Sequence, residues 1–302
     1  MSRRKKEKHF DGSIKKSKIG QRARSAIANG FIYIILAVMG ICWILPLLFL
    51  VYTAFRVTPN TGIINKLFPD NLELGWGNFV RLFKETAFGD WVKNTFIVAL
   101  CSCIICTIFV LMVSFAFSRT RFKGRKTLMN IMLILGMFPG FMAMTAIYFI
   151  LKAMNLTDSL FGLIVAYSAS GGMGYYICKG FLDTIPKSLE EAAMLDGASR
   201  WKIFWRMIFP LSKPIIVYTV LTSFIGPWCD FIFAKLIITS KEPSDWTVAV
   251  GLYNLINQDA GAFNSWFTVF CAGSVIVGGI IMIIYPFMQR CYSRGVLSGA
   301  VK

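Results

Sequence analysis

The chain has 302 residues, of which 56% are hydrophobic and only 16% are charged, and its formal net charge is +17. This composition excludes an ordinary soluble domain and indicates a membrane protein. The positive charge does not indicate nucleic-acid binding. The basic residues flank apolar stretches, where membrane orientation and contact with anionic membrane lipid explain them.

Six stretches are apolar and long enough to cross the hydrocarbon core, which requires about 20 residues. All six should be helices, because a backbone polar group finds no partner in lipid. The predicted fold class is therefore an all-α polytopic membrane protein. The fourth stretch is short and is interrupted by Gly171, Gly172 and Gly174. The first is too long for a cleaved signal peptide and should remain as an anchor. The predicted transmembrane helices are 31–55, 95–117, 128–151, 160–178, 214–233 and 266–287.

Lysine and arginine are distributed unevenly between the segments that alternate with these helices. Residues 1–30, 118–127, 179–213 and the C-terminal tail hold 24 of the 32 basic residues. The positive-inside rule places these segments, and with them both termini, on the cytoplasmic side. We therefore predict a basic cytoplasmic tail over 1–30, disordered and facing lipid, followed by a six-helix membrane domain over 31–302.

The sequence offers no recognisable catalytic or metal-binding set. The single histidine, His9, lies in the charged tail, and Cys101, Cys103 and Cys106 do not share one tight helical face. Asp230 is the only carboxylate within a predicted span, and it lies near the outer end of the fifth. We expect no metal, no cofactor and no enzymatic activity in this chain, so energy for active transport must come from a partner.

Between the fourth and fifth predicted spans lies a polar segment with strong helix signals. Ser188 and Glu191 fit a capping box, with Ser188 as the N-cap of a first helix. Gly197 is suited to a left-handed stop, and Ser199 can cap a second helix. This pattern predicts two short helices bent at a glycine. They could lie on the membrane surface or dock a soluble partner, and the pattern alone does not choose.

The second of these helices has one strongly apolar face. Trp201, Phe204 and Trp205 recur at helical spacing, and we expect them to pack beneath the spans rather than to bind a ligand. Pro210 and Pro214 end the helix and lead into the fifth span.

The same residues resemble a known sequence motif. Glu191-Ala192-Ala193, Asp196-Gly197-Ala198, Phe204 and Pro210 resemble the EAA motif of the inner-membrane permease subunits of binding-protein-dependent ABC importers. The resemblance implies the type I permease fold of these importers, in a bacterial inner membrane, with a cytoplasmic coupling loop over 181–213 that contacts an ATPase subunit. The residues implied in this contact are Glu191, Ala192, Ala193, Asp196, Gly197, Ala198, Phe204 and Pro210.

Further stretches are similar to the maltose/maltodextrin-type permeases. They include "MFPGFMAMTAIYFIL" (137–151), "TVAVGLYNLIN" (247–257) and "QRCYSRGVLSGAVK" (289–302). The resemblance implies half of the translocation path for an oligosaccharide. Cys229 and Ile280 depart from the pattern, since many relatives have asparagine and proline there. An ABC permease for another small solute is the alternative, and a secondary transporter or a membrane enzyme is a more distant one.

The resemblance also implies partners and further site residues. The partners are a second permease subunit, forming a heterodimer, two ATPase subunits and an extracellular or periplasmic sugar-binding protein. Trp246, Tyr253 and Asn254 would contact the binding protein, and the tail Gly299, Ala300, Val301 and Lys302 would enter the ATPase interface. Pro139, Gly140 and Asp230 are candidates for the translocation path. The region of Gly140 could instead serve close helix packing, and Asp230 could be a helix-end group.

Overall fold

The computed structural model describes the backbone of residues 2–57, 73–137, 140–169, 172–257 and 262–300. It describes side chains in 29–57, 73–137, 140, 142–169, 174–257 and 266–286. Nearly all of the described backbone is helical. Over these ranges the only extended pairing is an isolated bridge between Arg56 and Leu74. The predicted all-α class is confirmed.

The chain divides into two compact units, and the boundary between them lies between Thr53 and Ala54. The first consists mainly of helix α1 (Ser2–Phe55), whose apolar part is Asn29–Phe55. The backbone of this helix begins at Ser2 and runs directly into the apolar part, and the basic cytoplasmic tail over 1–30 stays a prediction. Lysine and arginine have good helix propensity, and a helix already formed extends at low cost.

The second unit contains the remaining helices. They are α2 (Gly77–Glu85), α3 (Phe88–Arg119), α4 (Arg125–Met137), α5 (Gly140–Ala153), α6 (Leu160–Ala169), α7 (Gly172–Asp183), α8 (Lys187–Leu195), α9 (Arg200–Ile203), α10 (Phe209–Leu211), α11 (Lys213–Cys229), α12 (Ile232–Ile237), α13 (Val248–Asn257) and α14 (Ala262–Ala300). A π-helical turn, Phe204–Ile208, joins α9 to α10, and Pro243–Asp245 forms a single 3₁₀ turn.

Three described helices are long and apolar enough to span a membrane: Asn29–Phe55, Phe88–Arg119 and Trp266–Pro286. The predicted third span is a pair of helices, α4 and α5, whose directions differ by 106°. The predicted fourth span is the pair α6 and α7, which differ by 42°. By length and composition the described residues reach six spans only when each bent pair is counted as one, so the six-span topology stays a prediction.

The second unit packs around two hydrophobic cores. The first core lies among α3, α6, α11, α13 and α14 and includes Trp91, Leu163, Trp228 and Val250. The second core, which lies beneath the predicted coupling loop, consists of Cys106, Val110, Leu111, Cys178, Leu182, Ile185, Ile203, Phe204, Ile208 and Ile215. It places the coupling loop directly on α3, α7 and α11.

Candidate coupling site

The predicted coupling loop begins at the end of α7 and reaches the start of α11. It contains α8, a bend, and then a second helical stretch over Arg200–Leu211. This stretch meets α11 at 79°, so the loop turns sharply away from the fifth predicted span. The loop is therefore a compact pair of short helices, as the sequence predicts.

The start of α8 differs from the prediction. The helix begins at Lys187, and Pro186 occupies the N-cap position with φ −58° and ψ 132° and no side-chain cap bond. Ser188 is therefore inside the first turn and cannot be the N-cap. The fixed φ of proline ends the preceding turn and starts the helix two residues before the predicted capping box would allow.

The bend after α8 has the geometry that the sequence predicts. Gly197 is left-handed, with φ +78°. Its N–H donates to the carbonyl of Met194 at 3.0 Å, and the N–H of Ala198 donates to the carbonyl of Ala193 at 2.9 Å. These two bonds form a Schellman motif, which satisfies carbonyls that the helix end would leave unpaired.

The second helix begins at the predicted cap. The Ser199 hydroxyl accepts a hydrogen bond of 3.3 Å from the N–H of Lys202. The left-handed stop predicted at Gly197 and the helix cap predicted at Ser199 are both confirmed.

The aromatic face of the second helix is only partly buried. Phe204 lies in the second core, with its ring centroid 5.1 Å from that of Phe115 in α3. Trp201 and Trp205 are 61% and 38% exposed. The expectation that all three pack beneath the spans was therefore wrong for the two tryptophans. A π-helical turn begins at Phe204. Because this turn is wider than an α-helical one, the residues that face the core differ from those that α-helical spacing predicts.

The outward surface of the coupling loop is small and acidic. Glu191, Ala192, Asp196 and Gly197 are exposed, while Ala193 and Ala198 are half-buried against the second core. Leu195, at the end of α8, is 90% exposed. Pro210 is also exposed and lies at the far end of the loop. An exposed leucine beside two carboxylates and an alanine forms a narrow knob that a cleft on a partner could receive.

Glu190, on the side of α8 opposite the knob, was not predicted from the sequence as a functional residue. Glu190 is buried, and its Oε1 lies 2.7 Å from Nε of Arg119, the last residue of α3. Burial raises the pKa of Glu190, and the positive charges of Arg119, Lys187 and Arg200 oppose that shift. The available signal was weak: Glu190 lies three positions before Ala193, on the face that meets the second core.

A second polar contact lies beside this ion pair. The Ser118 hydroxyl donates to Oδ1 of Asp183 at 2.6 Å, and the Lys179 ammonium pairs with the other carboxylate oxygen. The end of α3 is thus joined to the end of α7 by a hydrogen bond between two side chains.

The predicted binding-protein loop is held firmly on α3. Trp91 Nε1 donates to the carbonyl of Pro243 at 2.7 Å, and Asn94 Nδ2 donates to the carbonyls of Ser244 and Trp246 at 2.7 and 3.1 Å. The N–H of Val248 donates to the Thr95 hydroxyl at 2.8 Å. The loop is therefore rigid where it leaves the first core.

The three predicted contact residues in this loop are not equivalent. Trp246 is buried, and its Nε1 donates to the carbonyl of Ser240 at 2.9 Å, so its ring supports the loop from beneath. Tyr253 is exposed and lies on Phe231, with ring centroids 4.0 Å apart. Asn254 is half-buried, and its Oδ1 accepts a hydrogen bond from the Lys235 ammonium at 3.0 Å.

The candidates for the translocation path are placed only in part. Gly140 is exposed at the start of α5, and Pro139 lies outside the described residues. Asp230 caps α11, and its Oδ1 accepts from the N–H of Phe233 at 3.0 Å. Its Oδ2 accepts from the Tyr167 hydroxyl, also at 3.0 Å. Both carboxylate oxygens therefore have structural partners, which favours the helix-end role.

The remaining candidates lie in the C-terminal tail. Gly299 and Ala300 belong to the backbone of α14, while their side chains and all of Val301 and Lys302 lie outside the described residues.

A concavity of about 460 Å³ opens between α11, α13 and α14. Trp228, Phe231, Tyr253 and Phe270 contribute to its lining, which is mainly apolar. The Ser274 hydroxyl in this lining already donates to the carbonyl of Phe270. A carbohydrate needs several hydrogen-bonding groups as well as an aromatic surface, and this concavity offers few of them.

The fold and the bent loop together define a membrane-embedded transporter subunit of ABC importers. Residues 108–294 match the family described as "Binding-protein-dependent transport system inner membrane component". The chain belongs to this family. It is a multi-pass inner-membrane component, and members of this class are permease subunits rather than enzymes.

Relatives and solved structures agree with this assignment. The chain is 32% identical over 283 residues to "Maltodextrin transport system permease protein MalD" of Streptococcus pneumoniae, covering 93% of this chain and 98% of the relative. It is also 32% identical over 287 residues to "Galactooligosaccharides transport system permease protein GanQ" of Bacillus subtilis, with the same coverage. A solved bacterial ABC transporter that imports the polysaccharide alginate has the same fold, with a TM-score of 0.71 at 20% identity over 85% of this chain and 93% of that one.

Proposed function

We propose that this chain is one of two permease subunits of an ABC importer and forms half of the translocation path for an oligosaccharide of the maltodextrin type. Two ATPase subunits supply the energy, and an external sugar-binding protein delivers the substrate. The observation that carries the proposal is the coupling loop: a Schellman bend at Gly197 presents an exposed small and acidic knob on a packed hydrophobic base.

The knob has the chemistry that docking to a soluble subunit requires. Ala192 keeps its surface thin, and Leu195 offers an apolar side chain that is 90% exposed. Glu191 supplies an exposed anion that fits a basic residue on the ATPase. An exposed ion pair contributes only about 0–1 kcal/mol, so shape and the apolar contact must supply most of the affinity.

An oligosaccharide is the substrate class that the relatives favour. Those at 31–32% identity over most of the chain are named for maltodextrin and galactooligosaccharides. These substrates are neutral sugar chains, and the narrower assignment to maltodextrin follows from the two maltodextrin permeases of Streptococcus and Bacillus. We expect most of the sugar contacts on the second permease subunit, an expectation that the mainly apolar lining of the concavity in this chain supports.

The loop between α11 and α14 is the proposed contact with the binding protein. Exposed Tyr253 and half-buried Asn254 offer an aromatic ring and an amide on a rigid support. Trp246 contributes as part of that support. The C-terminal residues Gly299 to Lys302 are proposed to reach the ATPase subunits, where small side chains allow close backbone approach.

Uptake and purification test the proposal together. Cells that carry or lack this subunit are compared for uptake of labelled maltodextrins, galactooligosaccharides and a monosaccharide, and the tagged subunit is purified to identify its partners. We expect loss of maltodextrin uptake in its absence, and co-purification of a second permease and an ATPase. Unchanged uptake of both oligosaccharides, or purification without an ATPase, contradicts the proposal.

A further inference from the structure

The inward side of α8 carries a charge that the proposed ATPase contact does not use. Glu190 and Glu191 are neighbours on a helix, so their side chains point about 100° apart. Glu191 is exposed, whereas the side chain of Glu190 is only 11% exposed and pairs with Arg119, whose side chain is 3% exposed. The two glutamates therefore serve different surfaces.

Arg119 connects three elements at one point. It is the last residue of α3, and its Nη2 donates to the carbonyls of Leu182 and Ile185 at 2.7 and 2.8 Å. The carbonyl of Leu182 belongs to the last turn of α7 and also accepts a hydrogen bond from the N–H of Ile185 at 3.1 Å. Nε of the same guanidinium faces Glu190 in α8. One side chain thus holds α3, α7 and α8 together.

Stability alone does not explain this arrangement. A buried ion pair loses the hydration of both groups, and apolar residues of similar volume often serve stability as well or better. Nε of Arg119 and Oε1 of Glu190 approach as charges without a well-directed hydrogen bond, and among the described residues Nη1 of Arg119 has no hydrogen-bond partner. The two hydrogen bonds from Nη2 fix the guanidinium on the end of α7, and a charge held at a fixed point can define the register of α8, which an apolar contact does less well.

Apart from Glu190, the described side chains of α8 make few contacts that fix the position of this helix. Its contribution to the second core is Ala193, with Ala198 following at the bend, and both side chains are small. The second helical stretch, by contrast, inserts Ile203, Phe204 and Ile208 deeply. Without the ion pair, α8 could rotate about its axis while the second stretch stayed in place.

We propose that Arg119 and Glu190 are positioning residues for energy coupling. They fix the rotation of α8 relative to α3, so that a displacement of the exposed knob moves α3 and α7 with it. The inference rests on the proposed function, because it assumes that an ATPase subunit acts on the knob. To that function it adds a pair of residues within this chain, Arg119 and Glu190, that transmits the displacement of the knob to α3 and α7.

The experiment measures sugar transported and ATP hydrolysed by the complete transporter in proteoliposomes, normalised to assembled complex. Glu190→Gln keeps the shape of the side chain and removes its charge. We expect this variant to retain its ATPase subunits and hydrolyse ATP, while the sugar transported per ATP falls about fivefold or more. The double variant Arg119→Gln with Glu190→Gln should show the same loss, since both variants lack the same contact.

Glu85→Gln is the matched control. It removes an exposed ion pair, with Arg81 at 2.8 Å, and should leave the ratio of sugar transported to ATP hydrolysed unchanged. A normal ratio in Glu190→Gln overturns the inference, as does a ratio restored in the double variant. A loss of assembled complex with a normal ratio per complex assigns the pair to stability and also overturns it. A wild-type transporter without ATP-driven uptake contradicts the proposed function itself, and the positioning role with it.

Discussion

Gly251 in α13 lies against the indole ring of Trp91 in α3, so closely that a Cβ on Gly251 would stand 2.2 Å from Cδ2 of the ring. Trp91 is almost completely buried, and its Nε1 holds the segment that precedes α13 through the carbonyl of Pro243. Close approach of a backbone to a neighbouring helix at a glycine is typical of packing in membranes. This contact fixes the proposed binding-protein loop on the second predicted span.

Gly251→Ala should therefore destabilise the subunit. The added methyl group meets a ring that is itself enclosed, and overpacking of this kind costs about 1–3 kcal/mol. We expect a lower thermal midpoint of the purified complex and less assembled complex in the membrane. Gly89→Ala is the control, because a Cβ at Gly89, on the same helix as Trp91, meets nothing within 4 Å. An unchanged midpoint for Gly251→Ala would show that the helices separate easily.

The features predicted correctly from the sequence are local ones. Gly197 and Ser199 act within one turn of their own positions, so residue type alone indicated the left-handed stop and the cap. Ser188 failed for a local reason too, since Pro186 starts the helix earlier than the capping box suggests. The apolar stretches indicated the membrane helices because lipid requires long runs of apolar residues.

Long-range contacts could not be predicted in the same way. Arg119 and Glu190 are distant in sequence, and only the three-residue spacing from Ala193 indicates that Glu190 is the buried member of a Glu-Glu pair. Trp246 is similar, because its burial depends on packing against Trp91, whose ring lies 6.1 Å away. The sequence shows which residue types stand at these positions. Which residues they contact depends on how the helices pack in the folded chain.

Asp158 joins two of the three predicted external loops, 152–159 and 234–265, and the stability that it contributes should depend on pH. Its Oδ1 accepts from the Thr239 hydroxyl at 2.7 Å and from the Thr239 N–H. The hydroxyl bond is the main reason that the pKa of Asp158 is lowered, against a smaller opposing effect of burial. A lowered pKa contributes stability above the unfolded-state value, near 3.9, and loses it as pH falls through the folded-state value.

Asp158→Asn should accordingly lower the thermal midpoint by the same amount at every pH from about 8 to about 5, because Asp158 is ionised throughout that range. The difference from wild type should shrink below about pH 4, where the aspartate itself becomes protonated. Thermal midpoints of the detergent-solubilised complex across this pH series check the prediction. A difference that already shrinks between pH 8 and 5 would mean that the pKa of Asp158 is raised in the folded chain, and would contradict the stabilising bond from Thr239.

Tyr253 and Trp246 should differ in which property they affect. Tyr253→Ala removes an exposed ring, so we expect normal assembly and normal basal ATP hydrolysis but weaker stimulation by the loaded binding protein. Trp246→Ala removes a buried ring, which typically costs about 3–5 kcal/mol, and should reduce the amount of assembled complex. Stimulation measured over a range of binding-protein concentrations separates the two effects. Full stimulation of Tyr253→Ala at low concentration would remove this residue from the proposed contact.

The predicted orientation in the membrane can be read from single cysteines in a cysteine-free background. Glu85 and Lys241 are exposed and lie in predicted external loops, whereas Lys123 and Lys187 are exposed in predicted cytoplasmic ones. A membrane-impermeant thiol reagent should label the first two positions in intact cells, and all four after permeabilisation. Labelling of position 187 in intact cells would reverse the orientation and place the coupling loop outside.

Gly197→Val should uncouple the transporter. A non-glycine residue in the left-handed region costs on the order of 1 kcal/mol, and a β-branched one costs more. A Cβ at Gly197 meets nothing within 4 Å among the described residues of this chain, so a collision of this atom would be with the proposed partner that receives the bend. We expect this variant to insert and to retain the second permease, while the ATPase subunits bind weakly or hydrolyse ATP without moving sugar.

Two further variants separate the backbone effect from the docking effect. Gly197→Asn tolerates the left-handed conformation but adds a side chain, so it should also impair coupling if the receiving cleft is tight. Gly124 has nearly the same conformation, with φ +86°, and equally open surroundings, but it lies in the loop between α3 and α4. Gly124→Val therefore imposes the same backbone strain elsewhere and should leave the ratio of sugar to ATP near the wild-type value. If Gly197→Val and Gly124→Val behave alike, the bend is only a structural turn and the knob is not where the ATPase subunit acts.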